Sequence, residues 1–102
     1  MAEDPLKVYE KLDPEIAEMV ENLKDFAVFE GVLPKKVKLL IVLALDASHG
    51  AIQGVKATVH EAMKVGATKE EIAEALRVAL YVSGASSAYT AANALKELFQ
   101  EQ

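Results

Sequence analysis

The sequence predicts an all-α protein. Apolar residues recur every three or four positions along almost the whole chain, and no stretch alternates apolar and polar residues as a half-buried strand does. Proline residues stand at the starts of these apolar stretches, and most glycine residues stand at their ends, as helix boundaries require. The pattern divides into about five helices, and we expect them to form one helical bundle.

Two aspartate–proline pairs mark the first helices. In each pair, at residues 4–5 and 13–14, the aspartate can cap a helix whose first position is the proline. The first pair opens a short helical turn through Lys11, and the second opens a helix over residues 14–30 that ends at Gly31. Helical spacing predicts that the apolar residues of the longer helix face inward: Ile16, Met19, Val20, Leu23, Phe26, and Val28 or Phe29.

The next helix is apolar on nearly every face. It starts at Leu33–Pro34, and Val37 together with the run Leu39–Leu45 leaves little room for a polar side. A helix without a polar face has to be surrounded by protein, and the other helices of so short a chain can hardly enclose it. Hydrophobic residues make up 52% of the chain, which favours the same conclusion. We therefore expect a homo-oligomer.

Clear boundary signals divide the second half of the chain. The segment Ser48–Gly50 interrupts the apolar helix, and Ala51–Val65 resumes a helical pattern that Gly66 ends in a left-handed conformation. The segment Thr68–Glu71 has the spacing of a capping box at the start of the following helix. Gly84 ends that helix, and a last helix of small residues follows. The first of these helices has apolar residues on one side, and the second has apolar residues directly after its capping box: Ile52, Val55, Val59 and Met63, then Ile72, Ala75, Leu76, Ala79 and Leu80.

Length and charge limit the classes of function. At 102 residues the chain has the size of one domain, which we assign to residues 1–102 with residues 1–30 as an N-terminal helical extension. The net charge is −5 and the basic residues form no stripe, so nucleic acid is not an expected partner. The longest apolar run is far shorter than the roughly 20 residues that span a bilayer, and the N-terminus has no targeting pattern. A membrane is therefore not an expected partner either.

The chain contains no cysteine. Disulfides, thiolate nucleophiles, redox Cys-x-x-Cys motifs and thiolate metal sites are therefore excluded, and a cysteine-free chain fits the cytoplasm. The sequence also has no glycine-rich phosphate loop and no nucleophile elbow. We predict no cofactor and no bound metal.

Between about residue 31 and residue 96, several helix signals follow one another in a defined order. A proline- and lysine-rich helix start leads into the apolar helix, a short break, a helix that ends in the segment Gly66–Thr68, then the segment Lys69–Leu76 and a final helix rich in small residues. This order resembles that of the carboxymuconolactone decarboxylase and AhpD-like family. The resemblance implies a helical bundle that assembles into trimers or hexamers.

In the AhpD branch, the resemblance implies a thiol peroxidase with a glutamate on the apolar helix and a Cys-x-x-Cys-x-x-x-His motif in the next helix. Counting back from Gly66, the two cysteines fall on Ala51 and Gly54, the histidine on Thr58 and the glutamate on Leu39. A register shifted by two residues puts His60 at the histidine and Lys56, Gln53 and Ile41 at the other positions. Neither register keeps the redox site, so we expect no thiol peroxidase activity.

Asp46 and His49 are the candidate catalytic residues. They stand three positions apart where the apolar helix gives way to the next one, so they lie on one side of this junction. Asp46 can orient the His49 imidazole as a general base, or both can hold a metal with a third group from elsewhere. Two other interpretations stay open. Asp46 can cap the next helix or bond the loop backbone, or the pair can lie in a subunit interface.

A second group of polar residues surrounds Gly84. Its hydroxyl and amide groups can line a small-molecule pocket, and the candidate pocket residues are Tyr89 and Ser86, together with Thr58 from the preceding helices. The alternative is helix capping and close packing of small side chains. The other members of the group are Tyr81, Ser83, Ser87, Thr90 and Asn93.

Two hypotheses about function follow. The first is a cytoplasmic homo-oligomer of the carboxymuconolactone decarboxylase-like family that binds or transforms a small organic molecule without thiol redox chemistry. The second is a structural or interaction protein that keeps the assembly and has lost catalysis. The sequence leaves open whether the chain is an enzyme, with a lyase-like reaction as one candidate.

Overall fold

A computed structural model describes residues 5–29 and 31–99. These ranges contain no strand, which confirms the all-α prediction. A 3₁₀ turn at Pro5–Lys7 precedes the first helix, and a π-helical segment at Asp25–Phe29 continues the second. The α-helices are α1 (Val8–Leu12), α2 (Pro14–Lys24), α3 (Lys35–Ser48), α4 (Ile52–Lys64), α5 (Lys69–Ser83) and α6 (Ala85–Phe99). The number exceeds the expected five because the short N-terminal turn is a helix in its own right.

The chain divides into two compact units, Met1–Val32 and Leu33–Gln102. The assignment of a single domain with an N-terminal extension over residues 1–30 stays a prediction. No helix within residues 5–29 and 31–99 is long and apolar enough to cross a membrane.

The N-terminal unit begins α2 as the sequence predicts. Pro14 occupies the first turn, and the Asp13 side chain accepts a hydrogen bond of 3.1 Å from the Glu15 main-chain N–H. The other expected cap, Asp4, lies outside the described residues. The prediction that the apolar residues of this helix face inward is wrong, because α1, α2 and the π-helical segment contain no buried residue. Two short helices are too small to surround the apolar stripe of α2.

In the C-terminal unit, α3 contacts α4, α5 and α6, and α6 also contacts α4 and α5. The buried face of α3 consists of three residues at intervals of four positions, namely Leu39, Leu43 and Ala47. The opposite side of α3 stays open, since Ile41 is 46% and Leu45 is 54% exposed. A single copy therefore encloses only one face of this helix. The other core side chains are Val55, Val59, Ile72, Ala79, Ala91, Ala94 and Leu95.

Gly50 and Gly66 end α3 and α4 in the same way. Each has a left-handed backbone, with φ of 75° and 96°. Each glycine N–H donates to the carbonyl three residues earlier, and the next N–H donates to the carbonyl five residues earlier. These two hydrogen bonds together form a Schellman motif, which reverses the chain within a few residues. The motif at Gly50 brings the last turn of α3 close to the first turn of α4.

Thr68 and Glu71 form the predicted capping box at the start of α5. The Glu71 N–H donates to the Thr68 hydroxyl at 3.1 Å, and the Thr68 N–H donates to Glu71 Oε1 at 2.9 Å. The second carboxylate oxygen of Glu71 accepts from Lys36 Nζ at 3.0 Å, which joins the starts of α3 and α5. The Thr68 backbone N–H, followed by the Lys36 ammonium, holds the pKa of Glu71 below its ordinary value.

Candidate functional site

The Asp46 carboxylate lies directly against the backbone of α4. A Cβ atom placed on Gly54 would stand 2.7 Å from Asp46 Oδ2 and 2.8 Å from Asp46 Cγ. Gly54 belongs to the first turn of α4, and its missing side chain provides the space that the carboxylate fills. A side chain at residue 54 would therefore require the Asp46 carboxylate to move from this position.

Thr58, one turn beyond Gly54, supplies the hydrogen-bond partner of this carboxylate. Its hydroxyl donates to Asp46 Oδ2 at 3.4 Å, a long bond by the usual standard for hydroxyl donors. Thr58 is only 8% exposed, whereas Asp46 is half-buried. A polar pair thus lies at the contact between α3 and α4.

The interpretation of the Asp46 side chain as a helix cap is wrong. The N-cap residue of α4 is Ala51, and no side chain caps this end. The main-chain carbonyl of Asp46 accepts from the Ala51 N–H at 2.9 Å, while the side chain turns to Thr58. A carboxylate near the end of α3 opposes that helix dipole, but its position against the first turn of α4 offsets this effect.

His49 is the C-cap residue of α3 and is exposed. Its main-chain N–H donates to the Leu45 carbonyl at 3.0 Å. Across the described ranges, no hydrogen bond or ion pair joins the His49 side chain to Asp46. In the described residues the predicted catalytic pair is thus not joined by a hydrogen bond or an ion pair, and the hydrogen-bond partner of Asp46 is Thr58. That His49 and Asp46 act together stays a prediction.

Of the predicted pocket residues, the structure brings Thr58 to the Asp46 carboxylate. Ser86 and Tyr89 lie on α6, where Ser86 is exposed and Tyr89 is 73% exposed. The hydrogen bonds of the described residues connect neither side chain to the Asp46–Thr58 pair. Ser87 instead points inward, with its hydroxyl donating to the Gly84 carbonyl at 2.8 Å. Ser87 therefore serves in helix capping and close packing, the alternative to a pocket role for the polar residues around Gly84.

Four grooves on the C-terminal unit have none of the predicted site residues in their walls. One groove of about 400 Å³ runs along the surface where α3 and α5 meet. It is mainly apolar, with Val37, Ile41 and Val78 in its walls. Further grooves run along α5 and α6, and a smaller one of about 240 Å³ lies between α4 and α6. Within residues 5–29 and 31–99, no three histidine or carboxylate side chains are placed to share a metal ion.

Gly54 is the site residue that sequence analysis missed. Glycine in a helix interior lowers stability by about 0.5–1 kcal/mol relative to alanine, so its presence there often indicates a close approach of another group. An acid at the end of the preceding helix was the second available sign. Neither feature identifies the partner by itself, because the contact depends on how the helices cross.

The sequence matches the carboxymuconolactone decarboxylase family over residues 14–97. It is 33% identical over 100 residues to the uncharacterised protein MJ1511 of Methanocaldococcus jannaschii, covering 97% of this chain and 92% of that protein. It is 35% identical over 95 residues to the uncharacterised protein MJ0742 of the same organism, covering 91% and 90% of the two chains. No solved structure matches the chain.

Proposed function

Because this chain belongs to the carboxymuconolactone decarboxylase family, we propose that it binds or transforms a small organic molecule without thiol redox chemistry. The observation that supports this proposal is the half-buried Asp46 carboxylate, seated on Gly54 and bonded to Thr58. A polar pair at a helix contact is a feature that packing alone does not require, since an apolar pair fills such a space at lower cost in desolvation.

The chemistry of this site is that of a carboxylate and its neighbours. A carboxylate can accept a hydrogen bond from a ligand or take a proton from it, and Asp46 has this capacity at the edge of the bundle. His49, three residues later and exposed, adds an imidazole at the same end of α3. The lack of cysteine removes any sulfenate or disulfide step from the reaction.

The working form in this proposal is a cytoplasmic homo-oligomer, a trimer or a hexamer. Apolar side chains on one side of α3 and α5 support it, because monomeric proteins rarely leave such neighbouring groups in water. Their exposed fractions are 46% for Ile41, 54% for Leu45, 60% for Val78 and 74% for Val82.

The same apolar side supports the alternative, a non-catalytic structural or interaction protein. The α3–α5 groove offers few polar groups to orient a substrate, although it provides a surface for another protein. In this alternative the Asp46–Thr58 pair serves only to fix the contact between α3 and α4.

A ligand screen on matched variants tests the proposal. Small alcohols, amines, carboxylates and lactones, together with divalent metal ions, are added to the wild type, Asp46→Asn and His49→Ala, and binding is followed by calorimetry and thermal shift. We expect at least one compound to bind the wild type and to bind Asp46→Asn at least about tenfold more weakly, with the oligomer unchanged. If no compound binds the wild type, or if binding is equal in all three proteins, the structural alternative replaces the proposal.

A further inference from the structure

We propose that Asp46 Oδ1 is the atom that receives the ligand, and that the ligand presents a hydrogen-bond donor, an ammonium or a hydroxyl group, rather than a carboxylate. This inference rests on the proposed function and names the substrate class of the same site. Its basis is the different surroundings of the two oxygens of one side chain.

The first step concerns Oδ2, which is already occupied. It accepts the hydrogen bond from Thr58 and lies closest to the position of a Cβ on Gly54, at 2.7 Å. The Cγ atom follows at 2.8 Å and Oδ1 at 3.2 Å, so the flat face of the carboxylate lies against α4 at Gly54, and the two oxygens differ in that only Oδ2 accepts the Thr58 hydrogen bond. The backbone of α4 and the Thr58 hydroxyl thus fix the direction of the carboxylate.

The second step concerns Oδ1, which has no hydrogen-bond partner among the described residues. The part of the chain that the structure describes donates no hydrogen bond to it. In the same part, no buried side-chain oxygen or nitrogen lacks a partner. Because Asp46 is half-buried and Oδ1 has no partner, this oxygen has to be in contact with solvent. It is a hydrogen-bond acceptor in contact with solvent and without a partner among the described residues.

The third step concerns charge. Asp46 takes no part in the ion pairs of residues 5–29 and 31–99, so no lysine, arginine or histidine nitrogen there lies within 4.0 Å of its carboxylate. A ligand carboxylate at Oδ1 would bring two negative charges together in a partly desolvated place, with no cation between them. An ammonium or hydroxyl group instead forms a hydrogen bond to the carboxylate, and the ammonium bond is reinforced by charge.

The experiment compares three benzyl compounds that differ only in the polar group: benzylamine, benzyl alcohol and phenylacetate. Binding to the wild type is measured by ligand-observed NMR and calorimetry at neutral pH. We expect benzylamine to bind at least about tenfold more tightly than phenylacetate, with benzyl alcohol between them. The same groups on a propyl chain provide a second set, in case the ring is a poor fit.

Three variants locate the effect. Asp46→Asn keeps the shape of the side chain and removes its charge, and Gly54→Ala keeps the charge and displaces the carboxylate. We expect the preference for amine over carboxylate to fall to about twofold or less in both variants. Glu18→Gln removes one exposed charge from α2 and should leave the preference unchanged, which excludes an effect of net charge.

The outcomes separate this inference from the proposed function. Tighter binding of the carboxylates, abolished by Asp46→Asn, would overturn the inference and leave the proposed function standing. An amine preference that survives in Asp46→Asn or Gly54→Ala would also overturn it, because another group would then be responsible. If no benzyl or propyl compound binds, the inference is wrong, and the proposed function fails with it only when the wider screen finds no ligand.

Discussion

The carboxylate of Asp46 occupies the place that a side chain on Gly54 would need, with Oδ2 only 2.7 Å from the position of the absent Cβ. Real Cβ atoms do not approach oxygen so closely, so a seated carboxylate at residue 46 and a side chain at residue 54 exclude each other. The three nearest atoms to that Cβ position all belong to Asp46. The relationship between the two residues is therefore steric and specific.

This relationship predicts that the effect of Gly54→Ala changes sign with residue 46. With Asp46 present, the added methyl group displaces the carboxylate and should lower the free energy of unfolding by about 1–3 kcal/mol. In an Asp46→Ala background the clash disappears, and alanine should raise the free energy of unfolding by about 0.5–1 kcal/mol through its higher helix propensity. Denaturant unfolding of the four proteins measures both values. Equal effects in the two backgrounds would refute the steric explanation.

Thr58→Val tests the hydrogen bond from the other side. Valine has nearly the shape of threonine but no hydroxyl, so Asp46 Oδ2 loses its partner at 3.4 Å. Because the bond is long, we expect a loss of about 0.5–1 kcal/mol in the free energy of unfolding, at the low end for hydrogen bonds. Thr58→Ser keeps the hydroxyl and serves as the control. In an Asp46→Ala background, Thr58→Val should have no destabilising effect, and a persistent loss there would show that Thr58 stabilises the core in another way.

The fold could be predicted because its boundary signals are local. The Schellman motif at Gly66 and the capping box at Thr68 and Glu71 each need only a few neighbouring residues, so their sequence patterns determine their geometry. The extent of burial is a different matter. Ile41 and Leu45 look like core residues in the sequence, yet the open side of α3 depends on which helices lie beside it.

The candidate site could be predicted only in part, because its contacts also depend on how the helices pack together. An acid that interrupts an apolar run marks Asp46 as a candidate, but its partner Thr58 lies twelve residues away on another helix. The spacing of Asp46 and His49 favours a contact within one turn, whereas α3 turns the Asp46 side chain toward α4. Residue type alone makes Tyr89 and Ser86 candidates, and residue type does not determine which side of α6 faces the core.

The capping box and ion pair of Glu71 predict a specific dependence on pH. The pKa of Glu71 lies below its unfolded value, which is about 4.3. A lowered pKa in the folded state means that the stabilisation is complete above the unfolded pKa and is lost as the pH falls through the folded pKa. Glu71→Gln lacks this titration, so its melting temperature should fall less than that of the wild type between neutral pH and about pH 3. Parallel decreases in the two proteins would contradict the prediction.

The open side of α3 and α5 predicts self-association through these helices. Sedimentation at micromolar concentration should give a particle several times heavier than the chain mass of 11.0 kDa. Ile41→Glu and Val78→Glu each place a charge among the apolar groups of this side and should produce folded monomers, because burial of an unpaired carboxylate is strongly unfavourable. Val32→Glu is the matched control, since Val32 is 99% exposed and has little contact to lose. A well-folded wild-type monomer would rule out the oligomer, and an oligomer that survives both α3 and α5 substitutions would place its interface elsewhere on the chain.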